Sequence, residues 1–387
     1  MTGPSTEAVQ PRPAAIISPL VDLLCVGGLS IVAIVPLLLS GREELGFITI
    51  GALIWTQALI NYSHFMASYR IIYRSREMIR RHQWAAIWIP LIMLVLVAIA
   101  LLLAPASEPL LLAFFVVGSA YLAWHYTGQV WGMMASYAYL DGIRFDPAER
   151  LLIRASLRIL LAWHVSWFLN FWLSHTEVAT LPDLAASLYR LASYAAIAAF
   201  PLGAIGLLRM RLRLGRFPPL RAVVAWLAIF VWYGAIARWG LPAFFLVQLA
   251  HALQYLEFPA RVELNRVARA NLARTAGHMA AYAVALLGAA FLVILAVPGP
   301  AMSLVANFLG ATPNNAAAAL VLYFINIHHY FTDGVIWKIS NPEVRRELFA
   351  HATPPALPVA AAGPRGGIGP GSSRPEPRRK ARPDTRL

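Results

Sequence analysis

Runs of about 20 mainly apolar residues follow one another along most of the chain and are separated by short charged segments. A helical run of this length matches the hydrocarbon thickness of a bilayer. The fourth of these runs is too long for one straight span, which predicts that it tilts or extends beyond the bilayer. The pattern therefore predicts an all-α, polytopic transmembrane helix bundle. Its ten predicted spans lie near residues 17–40, 46–69, 84–104, 109–140, 151–174, 184–208, 219–238, 242–260, 275–297 and 314–338.

The loops between these predicted spans alternate in charge. Arginine-rich loops follow the second, fourth, sixth and eighth spans, whereas the intervening loops at 104–109, 175–183 and 298–302 are poor in basic residues. Basic loops are retained on the cytoplasmic side of a membrane. The alternation predicts that both termini are cytoplasmic and that the chain is a multi-pass protein of the cell inner membrane.

Composition agrees with this class. The chain is 59% hydrophobic and only 13% charged, with a net charge of +14. Without a nucleic-acid-binding motif, this charge indicates contact with anionic membrane lipids and no nucleic-acid partner. The single cysteine, Cys25, excludes an internal disulfide and a CxxC motif.

Three regions differ in composition. Residues 1–16 form a short N-terminal segment, and 17–350 form the predicted transmembrane helical domain. Residues 351–387 are rich in Pro, Gly and Arg, which predicts a disordered basic C-terminal tail.

Histidines recur inside the apolar runs. The adjacent pair His328 and His329 lies in the last predicted span, and three other spans contain His64, His125 and His251. Ionisable side chains in the hydrocarbon region are costly and usually functional. Counting from the basic ends at 1.5 Å per residue places His251 and His329 at similar depth, with His64 slightly nearer the cytoplasm. We therefore predict a shared metal site, with bonded core histidines as the alternative.

Polar neighbours add to the predicted site. Asp333 follows His329 by four residues and shares its helical face, where it can orient the imidazole as a second-shell partner. Gln129 and Tyr255 each follow a histidine by four and are candidates to position substrate or dioxygen. For Asp333 the alternative is an ion pair with Lys338 or Arg345.

Two further histidines are less certain ligands. His328 points about 100° away from its neighbour on a helix, so it is a reserve ligand or contacts a neighbouring helix. His164 lies among aromatic residues with Trp167 and Asn170 nearby. These three residues are the predicted wall of a pocket for a flat apolar molecule, with a buried aromatic cluster as the alternative.

The motifs HFMASY, WHYTGQ and HHYFTD resemble short patches of the integral-membrane, histidine-ligated iron oxygenases. The resemblance is greatest in character to the bacterial β-carotene-cleaving dioxygenases. It implies that His64, His125, His251 and His329 hold iron beside an apolar tunnel. The ten predicted spans exceed what that family suggests, and the histidine boxes of membrane desaturases are absent.

The sequence thus favours a metal-dependent, iron-containing oxidoreductase acting on a lipid or isoprenoid substrate. Imidazole ligands also suit zinc and copper, and a haem held by two histidines is another alternative. The competing hypothesis is a transporter or a structural subunit with membrane-protein partners. In that case the histidines would relay protons, ligate haem or form hydrogen bonds between helices.

Overall fold

The computed structural model describes residues 15–41, 43–45, 50–103, 108–174, 180–270, 275–296, 315–339 and 341–352, and these are helical with short connections and no strand. The predicted tail from 353 onward, the base-poor loop 298–302 and most of the loops 104–109 and 175–183 lie outside the described residues. The helices are α1 Pro19–Leu39, α2 Ile50–Ile72, α3 Arg76–Arg81, α4 Ile89–Leu103, α5 Glu108–Leu140, α6 Pro147–Leu173, α7 Leu181–Leu214, α8 Leu220–Trp239, α9 Leu241–Arg269, α10 Thr275–Ala296, α11 Asn315–Ile336 and α12 Pro342–Leu348.

Each of the ten predicted spans coincides with one of these helices. By length and apolar composition, five helices among the described residues can cross a membrane: α1, α6, α7, α8 and α10. Large apolar side chains such as Val32, Ile197 and Leu292 are exposed on their outer faces. The interior contains many of the polar side chains, including buried histidines and carboxylates. This distribution is expected of helices that face lipid, because lipid gives no penalty for an apolar exterior.

The first span is not a regular α-helix throughout. It contains a π-helical turn at Leu24–Gly28, in which Gly27 has a φ of 142°. A Cβ added to Gly27 would lie 2.4 Å from the Cβ of Ala228 in α8. Glycine is therefore required at this position for two reasons, which are its backbone conformation and the close approach of α8. The turn also frees the carbonyl of Val26, which accepts a hydrogen bond from Gln254 in α9.

The α6–α7 hairpin is fixed at one end by charged groups. Asp146 caps α6 in a capping box with Glu149, and the Glu149 amide that donates to Asp146 lowers the pKa of the Asp146 carboxyl. Arg213, in the last turn of α7, donates to both carboxylate oxygens of Glu149 at 2.7 and 2.8 Å. This bidentate contact holds together the two helix ends.

The polar interior is surrounded by four helices, which are α2, α5, α9 and α11. Helix α2 packs against α9, α10 and α11, and α11 also packs against α4 and α5. The histidine-bearing helices α2, α5, α9 and α11 are not among the five candidate spans. In α9, buried polar side chains such as Gln254, Glu257 and Glu263 take positions that would otherwise be apolar. These helices therefore form the inner part of the bundle.

Candidate metal centre

Four imidazoles meet in the interior of the bundle, each from a different helix. They belong to His64 of α2, His125 of α5, His251 of α9 and His329 of α11. Their ring centroids lie 4.3 Å apart for His64 and His329, and 5.0 Å apart for His125 and His251. All four side chains are buried. The structure thus brings together the four histidines that the sequence proposed as ligands.

The tautomer of His64 is set by its own helix. Its Nδ1 lies 3.1 Å from the side-chain oxygen of Asn61, one turn earlier. Because that oxygen can only accept, Nδ1 carries the proton and Nε2 presents a lone pair. This Nε2 is buried and has no hydrogen-bond partner among the residues that the structure describes. An oriented imidazole with an unused lone pair is the usual form of a metal-ligating histidine.

Asp333 lies beside His329 on the same face of α11. Its Oδ2 is 3.2 Å from His329 Nε2 and 4.0 Å from His125 Nε2. The first contact lacks hydrogen-bond alignment, since neither nitrogen of His329 has a hydrogen-bond partner. Oδ1 accepts from Ser68 Oγ at 2.8 Å and from Tyr255 at 2.9 Å. One oxygen is therefore held by two hydroxyl groups, while the other faces the imidazoles.

Tyr255 is part of this support and also borders a cavity. Its hydroxyl contacts Ser68 and accepts a hydrogen bond from the indole of Trp337. Gln129 donates to the carbonyl of His251 and to the side chain of Gln254, which leaves its own oxygen without a partner. Both residues proposed to position substrate thus lie at the edge of the histidine group.

The geometry fits a single metal ion. One ligand atom from each of His64, His125, His329 and Asp333 lies within 4.8 Å of the others. Metal–nitrogen bonds are about 2.0–2.1 Å, so ligands on opposite sides of an ion are separated by about 4.2 Å. The widest of these separations would have to shorten by up to about 0.6 Å for ligands on opposite sides of an ion, and by up to about 1.4 Å for the roughly 3.4 Å spacing of a tetrahedral site. Asp333, predicted to be a second-shell partner, lies close enough to the imidazoles to be a direct ligand as well.

His251 lies just outside that set of four. Its Nε2 is 3.2 Å from His125 Nε2, so one of these two nitrogens donates to the other. Its Nδ1 has no hydrogen-bond partner, and its ring stacks on Tyr126. A metal on His125 Nε2 would break the bond between the two rings. His251 is therefore either an additional ligand or the partner of His125 in the metal-free protein.

His328, the reserve ligand, faces away from this group. Its Nε2 lies 2.9 Å from the carbonyl of Ala85, and its ring stacks on Tyr69. It thus makes the contact with a neighbouring segment that was the alternative to ligation.

His164 also lies apart from the metal-binding set. Its Nδ1 lies 2.8 Å from the Tyr233 hydroxyl, and its ring stacks on Phe168. Trp167 packs within the same aromatic cluster, and the backbone carbonyl of Asn170 caps the end of α6. This environment matches the aromatic-cluster alternative, and none of the three residues lines the cavity beside the metal group.

That cavity has a volume of about 440 Å³ and lies against α5, α6 and α11. His125 and Asp333 line it, together with Gln129 and Tyr255. The volume is within the range of small-molecule sites, about 300–1,000 Å³. A molecule in this cavity can therefore approach a metal held by His125 and Asp333.

Several contributors to the site were not expected from sequence. Asn61 and Ser68 precede and follow His64 by three and four residues, a spacing that places all three on one face of α2. That spacing was a usable signal. The contribution of Trp337 had no such signal in the sequence, because it depends on how α11 is rotated against α9.

No protein-family model, curated protein or solved structure shows significant similarity to this chain. The interpretation of the site therefore depends on its geometry alone.

Proposed function

We propose that the protein is a multi-pass membrane metalloenzyme, an iron-dependent oxygenase that acts on a lipid or isoprenoid substrate. His64, His125, His329 and Asp333 are the proposed ligands. The observation that carries the proposal is the group of buried nitrogens without hydrogen-bond partners on His64 and His329. Buried polar atoms without partners are rare and need an explanation. One metal ion would provide the missing partner for Nε2 of His64 and for one of the two ring nitrogens of His329.

Iron is the metal that we favour. A mixed set of imidazoles and one carboxylate, with positions left open, is the ligand pattern of non-haem iron oxygenases. When bound, the ion would supply activation of dioxygen. The chain's own residues would orient the ligands: Asn61 fixes the tautomer of His64, while Ser68 and Tyr255 hold Asp333. The mainly apolar cavity would exclude water from the reaction.

The proposed arrangement in the membrane follows from the same helices. Ten spans with both termini in the cytoplasm would place the arginine-rich connections on the inner face of the cell membrane. The five helices that are long and apolar enough to cross support this topology. An apolar substrate could then enter from the bilayer without crossing water.

A haem is a poor fit to this group. A porphyrin must lie as a flat plate between its axial ligands, but the imidazoles are in direct contact. His64 and His251 have ring centroids 5.4 Å apart, as do His125 and His329. Phe65 and Tyr255 pack against His64 at 4.7 and 4.6 Å. A single ion requires far less rearrangement than a macrocycle.

The proposal is tested by purifying the full-length protein in detergent under anaerobic conditions and measuring its metals by plasma mass spectrometry. We expect about one iron per chain in the wild type and in a His328→Ala control. His64→Ala and His329→Ala should each lose the metal. Iron-dependent consumption of dioxygen with added lipid or isoprenoid substrates would support the oxygenase class. Retention of full metal content by both variants would contradict the proposed centre.

A further inference from the structure

The cavity beside the metal group has two chemically different parts. Its polar lining includes His125, Asp333 and Tyr255. The remainder is a cleft with walls of aromatic and aliphatic side chains, including Trp124, Trp131, Leu157, Leu161 and Phe258. The cleft is partly open to its surroundings. A long apolar molecule could occupy the cleft with one end at the metal group.

Three cationic side chains also line this cleft. Arg154 and Arg158 are one turn apart on α6, and Lys338 follows the end of α11. Arg154 lies over the ring of Trp131, with 5.7 Å from its guanidinium carbon to the ring centroid. Among the described residues, none of these three cations forms an ion pair with an acidic side chain. The cleft therefore combines an apolar wall with a cationic lining.

Glycines keep the cleft free of side chains. Gly128 and Gly132 on α5 and Gly334 on α11 all border it. A Cβ built on any of the three would meet no atom within 4 Å. Gly128 and Gly132 are four residues apart and share one helical face. Glycine in a helix interior costs about 0.5–1 kcal/mol relative to alanine. Nothing in the packing of the described residues requires that cost here.

We propose that this cleft binds a single-chain amphiphile with an anionic head group. Arg154, Arg158 and Lys338 hold its carboxylate or phosphate. The alkyl or isoprenoid chain lies along Gly128 and Gly132, and its distal part reaches the metal group. This inference rests on the proposed function and narrows its substrate class from lipids in general to anionic amphiphiles.

The partnerless oxygen of Gln129 supports this placement. Its side chain lines the cavity, and no donor among the described residues reaches this oxygen. A hydroxyl group on the substrate chain would supply one. Basic residues at helix ends also serve as topology signals. A binding site differs from such a signal only if its cations behave differently from other arginines nearby.

Arg150 provides that comparison. It lies one turn before Arg154 on α6 and is exposed, as Arg154 and Arg158 are, but it does not line the cleft. If these arginines only signal topology or attract lipid head groups, substitutions of Arg150 and Arg154 should affect binding equally. If Arg154 belongs to a binding site, its substitution should have the larger effect.

The test measures binding of a dansylated undecanoate and of its neutral methyl ester to the full-length protein in detergent, by fluorescence titration. We expect the anion to bind at least about tenfold more tightly than the ester. The double variant Arg154→Gln, Arg158→Gln should lose that preference, whereas Arg150→Gln should keep it. Displacement by dodecanoate or by dodecyl phosphate then shows which head group the site prefers.

A second pair of variants tests the position of the chain. Gly132→Leu should fill the cleft and abolish binding of the probe. Gly288→Leu, a matched change at an exposed and open position of α10, should leave binding unchanged. Equal binding of anion and ester, or unchanged binding in Gly132→Leu, would overturn the inference.

Metal content is measured on the same samples, which separates the two proposals. Binding of the probe by a protein without metal would support the cleft and contradict the metal centre. A full complement of metal without preference for the anion would do the reverse.

Discussion

Two buried polar clusters lie in this bundle, and they differ in how completely they are satisfied. In the first, Asp22 accepts from the amides of Ile16, Ile17 and Ser18 and from the guanidinium of Arg221 at 3.0 Å. Arg221 also contacts Asp141 at 3.4 Å. In the second, Nε2 of His64 and both ring nitrogens of His329 lie just as deep but have no hydrogen-bond partner among the described residues. Burial removes the polar groups of both clusters from water. Only in the first cluster do other groups of the chain replace the hydrogen bonds that water would have made.

The difference separates a structural cluster from one prepared for a ligand. An ion pair that is bonded on all sides contributes to one defined packing and needs nothing further. A group of imidazoles whose ring nitrogens lack partners gains them only when something binds. The two clusters should therefore respond in opposite ways to mutation and to metal.

The largest expected effect is on the satisfied cluster. Arg221→Met leaves the Asp22 carboxylate buried without its cationic partner. Breaking a buried pair in this way costs about 3–5 kcal/mol. Thermal unfolding of the purified protein, with or without metal, should show this loss of stability.

The matched control is Arg238→Met on the same helix, α8. Arg238 lies 4.0 Å from the exposed Glu43, and exposed pairs are worth about 0–1 kcal/mol. Equal destabilisation by both substitutions would mean that the Asp22–Arg221 pair has no special structural role.

The next effect concerns the histidine group. His329→Leu removes a side chain with no hydrogen bond to lose, so the stability of the metal-free protein should change by less than about 1 kcal/mol. What should disappear is the stabilisation by metal. For the wild type this is about 2.7 kcal/mol at a free metal concentration one hundred times Kd, and a chelator should reverse it.

His328→Leu should give the opposite result. It removes the contact with the Ala85 carbonyl and lowers stability, but the response to metal should remain. Thermal shifts measured with and without iron distinguish the two neighbours. A metal response that survives in His329→Leu would show that the unpartnered nitrogens are not a ligand site.

The sequence predicted the helices of this molecule far better than its contacts. An all-α fold with candidate spans could be predicted because hydropathy is a local property that adds along a run of residues. A shared depth for His251 and His329 followed from the constant rise of a helix. The rotation of each helix did not follow. Asp22, for example, pairs with Arg221, which is 199 residues away in the chain. Neither that pairing nor the glycine-lined cleft has a signature in sequence spacing.

A smaller effect is expected for the groups that support Asp333. Ser68→Ala and Tyr255→Phe each remove one hydroxyl donor from Oδ1 while leaving the carboxylate in place. Loss of such a partner typically lowers metal affinity 10–100-fold. Competition with a chelator of known affinity measures this change, and metal stoichiometry should stay at the wild-type value.

Tyr69→Phe is the control for this pair. Tyr69 also lies on α2, but its hydroxyl donates to the carbonyl of Ile325. Wild-type affinity in all three variants would show that the hydroxyl groups have no influence on metal binding through Asp333.

The smallest expected effect distinguishes the two roles of His251. In the metal-free protein its Nε2 is hydrogen-bonded to that of His125, and this bond must break before His125 can bind a metal. If His251 is only that partner, His251→Leu removes a competitor for the lone pair of His125. A hydrogen bond contributes about 1 kcal/mol, so affinity should rise by about fivefold at an unchanged metal content. We expect this result because His251 lies outside the set of four atoms that are within 4.8 Å of one another. A fall in metal content would instead identify His251 as a ligand, as the sequence first indicated. It would also mean that the group contracts around its ion more than the distances between its rings suggest.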